Sequence, residues 1–322
     1  MLAYPMKMHP VLKDYLWGGE RLVKEYGKHA DKLPAAESWE VSCHPDGLSV
    51  VANGRYAGQP LRDVLNAHPE WIGLNFAKEQ DFPVLIKLID AKENLSLQVH
   101  PHDAYAIPKE GQPGKNEMWY ILDAAPGACV ILGCERPIAP AEMRERIAAG
   151  TLLEAVCSVP VQAGDCLQIP AGMLHGIGAG ILLAEVQQSS NITYRVYDYE
   201  RLDADGKPRE LHIDRALEVI DPSLKGKKQT TTTERLTSFT QTKLTDWPYF
   251  QTVLLELSGS IELLSIEESF TALMILEGEV QLEFKAEKMM FLAGQSVFIP
   301  AGKDACTLQG KAKILQVRMC ED

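Results

Sequence analysis

One stretch of this chain occurs twice, and only one copy keeps its histidine. AGDCLQIPAGMLH (Ala163 to His175) and AGQSVFIPAGKDA (Ala293 to Ala305) share Ala-Gly and then Ile-Pro-Ala-Gly at the same offset. Where the first copy ends in His175, the second has Ala305. Such a repeated strand–turn–strand unit predicts a duplicated β-barrel, because a supersecondary unit that recurs builds the same local fold each time. A metal-type residue in one copy alone places the working site in the first barrel and leaves the second as scaffold.

Short segments rich in Val, Ile, Leu and Phe, separated by Gly, Pro, Asn or Asp, support mainly antiparallel β structure. They are 82–90, 95–100, 118–123, 128–133, 165–170 and 181–187, then 249–257, 270–278, 280–284, 296–300 and 312–319. Helical pattern is local. PAEMRERIAA (140–149) has Pro at its first turn and Gly150 as a stop, while 61–68 and 211–220 are further candidates. At 322 residues with 46% hydrophobic content the chain can bury two cores. The polar, unpatterned GKKQTTTTER (226–235) reads as the linker between a unit at 1–228 and a second at 236–322.

In LSLQVHP, strand alternation puts Ser96, Gln98 and His100 on one face and Leu95, Leu97 and Val99 on the other. Gln98 and His100, two residues apart, can reach one ion. Pro101 cannot join a ladder, so His102 is expected to turn away. Glu117 precedes MWYIL as Thr271 precedes ALMIL, so a second candidate ligand is also lost in the later copy. Each of these residues alone has an ordinary structural reading: a hydrogen-bonded histidine, a solvated carboxylate. Their joint loss in the second copy points to a discarded metal site. Two imidazoles, a carboxylate and an amide oxygen suit Zn²⁺, one per chain, and Fe, Mn or Co would also fit.

Gly164, Pro170, Gly172 and His175 resemble the second cupin motif, and Gln98-x-His100 with Glu117 resembles a variant of the first. More specifically, LIKLIDAKENLSLQVHP, GKNEMWYIL, IPAGMLHGI and LLAEVQQSSNITYRVYDYER, with YLWGG and AESWEVS, resemble the short-form class I mannose-6-phosphate isomerases. The resemblance runs from about residue 10 to 220, and a degenerate cupin extends it to the end. It implies two jelly-roll cupin domains with a few short helices, and metal ligands Gln98, His100, Glu117 and His175. It implies further site residues Trp17, Glu37, Lys87, Ser96, Lys115, Glu185 and Arg195. The implied reaction interconverts mannose 6-phosphate and fructose 6-phosphate, usually with zinc.

That chemistry needs an electrophile for a developing oxyanion, a base near C1–C2 and a grip on the remote phosphate. Lys87, Lys115 and Arg195 could supply positive charge locally. Ser96 could donate to a phosphate oxygen, and Arg195 could clamp the phosphate or shield the enediolate. Glu185, a carboxylate amid apolar strand residues, is either the base or the partner of Lys87 or Arg195 in a structural ion pair. A metal-bound water or a released histidine is a third possibility for the base. Trp17 and Glu37 read as wall and supporting groups. Tyr194, Tyr197 and Tyr199 are expected on one strand face, with Asp198 on the other.

His100, Glu117 and His175 alone would also suit an Fe(II) oxygenase, and a sugar-binding cupin without catalysis is the non-enzymatic rival. A fourth ligand and the cluster of cations favour the isomerase. A formal net charge of −12 argues against nucleic acid or an anionic membrane as partner. No apolar run of 18 residues and no signal-type N-terminus occur, so the reading is cytoplasmic. Seven cysteines without a CxxC pair are expected as reduced thiols. Oligomeric state stays open.

Overall fold

The duplicated segment makes the same strand pairing twice. In the front copy Glu117 pairs with Ile169 and Trp119 with Leu167; in the rear copy Thr271 pairs with Ile299 and Leu273 with Val297. Both turns need a glycine, because Gly164 and Gly294 take φ of +91° and +84°, where a side chain would clash with its own backbone.

The computed structural model describes residues 3–74, 81–203 and 205–320. Among these residues the architecture is mainly β, with 20 strands, five short α-helices and three sheets. A five-stranded front sheet runs Tyr194–Tyr197, Leu97–Val99, His175–Ile177, Cys129–Cys134, Val156–Pro160. A six-stranded middle sheet runs Cys166–Ile169, Glu117–Ala124, Ile181–Gln188, Val84–Ala91, Glu37–Val41, Val11–Lys13. The nine-stranded rear sheet is built on three long strands, Phe250–Leu264, Ala305–Arg318 and Thr271–Phe284. The chain's first strand crosses over to the rear sheet, with Met6 opposite Phe298.

Strand alternation assigns each face. On Ile181–Gln188, Ile181 and Leu183 turn toward Trp119 and Ile121, between the front and middle sheets. Leu182, Ala184 and Val186 turn the other way and meet Ala272, Met274 and Leu276 of the rear sheet. The middle sheet is therefore covered on both faces, which is why its strands read as nearly unbroken apolar runs. The rear half has a further core of its own, with Leu273, Ile275, Leu308 and Ile314. Burying each such side chain contributes about 1.5–3 kcal/mol.

The helices fall at Leu61–Ala67, Pro140–Ala148 and Ile213–Val219, within the expected segments. Asp103–Glu110 is an additional helix, masked in the sequence by Pro108 and closed by a left-handed Gly111. Segments 270–278 and 280–284 join into one strand with a bulge between Ile275 and Glu277, and Gly278, paired with Ala312, does not end it. Part of the expected linker is ordered: Thr232–Arg235 pairs with Phe239–Trp247 as an edge strand. Leu95 departs from its expected face and packs with Trp119 and Ile177, because the regular strand begins only at Leu97. Tyr199 lies beyond the strand, at φ +56°, yet its ring packs against that of Tyr197 at a centroid distance of 5.0 Å.

Candidate active site and metal centre

The strand Leu97–Val99 carries the site. Gln98 faces His175 on one neighbouring strand and Arg195 on the other, and His100 follows just past the strand end. Pro101 ends the ladder, and His102 turns outward to begin the helix Asp103–Glu110. Glu117 enters from the middle sheet as the first residue of its strand.

Among the described residues, His100, Glu117 and His175 form a cluster able to hold a metal ion, with ligand atoms all within 4.8 Å of one another. His100 Nε2 lies 3.2 Å from Glu117 Oε1 and 3.1 Å from His175 Nε2; Glu117 Oε2 is 3.8 Å from His175 Nε2. All three side chains are buried. His100 Nδ1 donates to the Ile192 carbonyl at 2.7 Å and His175 Nδ1 to the Met173 carbonyl at 2.8 Å. Each proton is thereby committed to Nδ1, and both Nε2 lone pairs face the cluster.

Burial, with the Lys115 charge, pushes the His100 pKa down to about 3, and burial lowers that of His175. Burial would raise Glu117, but Lys115 and the histidines outweigh it and hold the carboxyl well below its ordinary range. Neither Glu117 oxygen accepts a directed hydrogen bond, although Lys115 Nζ stands 2.9 Å from Oε1. Two lone pairs and an under-satisfied carboxylate thus converge with no proton to share. A cation satisfies all three at once, so the donor set fits a metal. Gln98 stands at the edge. Its Nε2 is 3.4 Å from His175 Nε2, and its Oε1 accepts from Ser96 Oγ at 3.3 Å.

A second buried group sits on adjacent strands of the middle sheet. Glu185 pairs in register with Lys87 on one side and Trp119 on the other. Lys87 Nζ is 2.9 Å from Glu185 Oε1 and 3.5 Å from Glu37 Oε2, while Trp119 Nε1 donates to Glu185 Oε2 at 3.0 Å. Trp39 Nε1 holds Glu37 at 2.7 Å. Burial works against the Lys87 cation, yet Glu185 and Glu37 outweigh it and raise its pKa. Glu185 is pushed up by burial and then by repulsion from Glu117, with Lys87 pulling the other way.

Above these groups opens a pocket of about 120 Å³. Trp17, Glu37, Lys87, Ser96, Gln98, Lys115, Glu185 and Arg195 all line it. With the His100–Glu117–His175 cluster, every site residue expected from the sequence therefore comes to one place. Burial lowers the pKa of Arg195, and the charge of Arg209 adds to this. Tyr15, Asn191, Thr193 and Arg209 also line the pocket and were not anticipated. Tyr15 lies two residues before Trp17 and its ring packs beside it, a signal that could have been used. Arg209 sits in the polar stretch DGKPRE, where no periodicity or motif marks it.

Fold and site together define a two-cupin protein whose front half holds a buried two-histidine, one-carboxylate centre. Residues 6–119 match the profile described as phosphomannose isomerase type I, catalytic domain, and residues 240–319 the mannose-6-phosphate isomerase cupin domain. Mannose-6-phosphate isomerase of Streptococcus mutans is 35% identical over 314 residues, covering 98% of both chains. ManA of Bacillus subtilis is 35% identical over 98% of this chain and 99% of its own. The crystal structure of a Bacillus subtilis mannose 6-phosphate isomerase superposes with a TM-score of 0.91 at 33% identity, covering 97% of this chain and 99% of that one. The chain belongs to the mannose-6-phosphate isomerase family.

Proposed function

We propose that this chain interconverts mannose 6-phosphate and fructose 6-phosphate through a cis-enediol, with one zinc ion held by Gln98, His100, Glu117 and His175. Iron, manganese or cobalt would suit the same donors. The observation that carries the reading is the proton-free convergence of His100, His175 and Glu117 beneath a pocket walled by Lys87, Lys115 and Arg195. The ion, when bound, supplies Lewis-acid polarisation of the sugar's C1–C2 oxygens.

The protein's own groups do the rest. Glu185 is the base in this reading: its raised pKa suits a carboxylate that takes a proton from C2 and returns it at C1. Lys87, 2.9 Å away, keeps that carboxylate oriented, and Glu37 braces Lys87 in turn. Lys115 and Arg195 offset charge developing on the substrate oxygens. Ser96, whose hydroxyl rests on Gln98 Oε1, turns it to the phosphate when substrate binds, and Trp17 forms a wall that excludes water. We read the enzyme as cytoplasmic. All seven cysteines are free thiols, and among the described residues no helix is long and apolar enough to cross a membrane.

A coupled assay for mannose 6-phosphate isomerisation on zinc-loaded protein, run without oxygen, tests the proposal. Turnover under those conditions is the expected result. Binding of the sugar phosphate without conversion would sink it.

A further inference from the structure

The pocket holds more positive charge than the proposed chemistry uses. Arg209 Nε and Nη2 each donate to Asp198, at 2.6 and 2.6 Å, and Arg201 Nη2 donates to the same carboxylate at 2.8 Å. Arg195 lies close enough for Arg209 to be its first charged neighbour. Two guanidiniums therefore bind one buried carboxylate, with Arg195 lining the same pocket as Arg209, in a chain of formal net charge −12. Arg195 and Arg209 both line the pocket, and two of the five N–H groups of Arg209 are spoken for by Asp198.

The strands give this cluster a direction. Along the chain from the metal centre come His100, Gln98 and Ser96. The neighbouring strand runs antiparallel, with Arg195 opposite Gln98 and Tyr197 opposite Leu97. Asp198 follows Tyr197, so it lies toward the Ser96 end, away from His100. Arg195 thus stands beside the metal centre, and the Asp198–Arg209 pair stands one step further out.

We infer that Arg209, held in place by Asp198, is the anchor for the substrate's phosphate, and that Arg195 is thereby left to the reacting carbons. This rests on the isomerase reading and deepens it. A planar guanidinium already fixed along one edge meets a phosphate with little further ordering, and a dianion supplies the counter-charge that Asp198 alone cannot. Asp198 acts through Arg209 and is a positioning residue.

Steady-state kinetics on the zinc-loaded full-length chain test this. Arg209→Met should raise KM for mannose 6-phosphate roughly 10- to 100-fold, the loss expected for a charge-assisted contact. Competitive inhibition by inorganic phosphate should weaken by a similar factor, while kcat and metal content hold. Arg209→Lys should recover part of the loss, and Asp198→Asn should shift KM in the same direction by less. If Arg209→Met does not fold, the Lys and Asn variants read the same quantities. Unchanged KM and phosphate inhibition would overturn the inference, as would a fall in kcat at constant KM. Should the native chain fail to turn over mannose 6-phosphate, the isomerase reading falls separately. Calorimetric titration with inorganic phosphate then still decides Arg209, since equal binding by native and Arg209→Lys protein excludes it.

Discussion

At matched register positions the two halves of this molecule carry opposite chemistry on the same strands. In the front half Glu185 lies between Lys87 and Trp119; in the rear half Gln316 lies between Val253 and Leu273. Glu117 opposite Ile169 becomes Thr271 opposite Ile299. His175 opposite Gln98 becomes Ala305 opposite Leu264. Arg318 Nε donates to Thr271 Oγ1 at 2.8 Å, so a guanidinium binds the rear counterpart of Glu117. The rear strands also pair without interruption from Gln251–Arg318 to Leu264–Ala305, where the front half breaks into two sheets. One sheet pattern thus tolerates either a polar pocket or a closed apolar filling. What differs is which side chains occupy the inward positions at one end.

The largest expected effect comes from making the front resemble the rear. His175→Ala, or exhaustive chelation of the native chain, should abolish bound metal and lower kcat by about 10⁴-fold or more, the scale of a lost Lewis acid. Metal analysis beside the isomerase assay checks this, and activity surviving in metal-free protein would break the comparison. Next comes Glu185→Gln, which should cut kcat about 10²–10⁴-fold while the metal stays bound. Wild-type-like turnover would leave Glu185 only its structural pairing with Lys87.

The reverse change sharpens the contrast. Thr271→Glu with Ala305→His should leave metal content at one ion per chain, because Leu264 and Arg318 still hold the rear site; a second bound ion would show that two ligands suffice. In the rear core, Leu308→Ala should cost about 2–5 kcal/mol of stability in denaturant unfolding and leave KM of the folded enzyme unchanged. A shift in KM would mean that the rear half does more than support.

The smallest effect concerns pH. All eight histidines lie between His9 and His212, so residues 236–322 contribute none. Burial and the Arg195 charge lower the pKa of His212 below its ordinary 6.5. The unfolded chain therefore binds that proton more readily. The stability associated with neutral His212 is complete above about pH 6.5 and declines as the pH falls toward the depressed folded value. His212→Gln should flatten that part of the stability profile slightly, and an identical slope would remove His212 from it.

Much of this was legible in the residues themselves. The repeat at 163–175 and 293–305 announced two copies of one strand pairing, and the replacement of Glu117 and His175 by Thr271 and Ala305 marked which copy has the residues to hold a metal. Alternation placed Gln98 and His100 correctly, and Pro101 correctly turned His102 away. The same rule failed for Leu95, because alternation holds only where a ladder exists. Pro108 hid a helix, since a breaker residue outweighs its seven ambiguous neighbours when only local pattern is read.

The sequence by itself determined most of the strands, the duplication and the candidate ligand types, because these depend on periodicity, turn chemistry and donor atoms that each short segment carries. Only the tertiary structure decided that Lys87 meets Glu185, that Asp198 binds Arg209, and that the first strand joins the rear sheet. Those contacts join residues far apart in the chain or set in patternless loops. Their partners are chosen by sheet register and by the need to pair buried charge, and no local stretch encodes either.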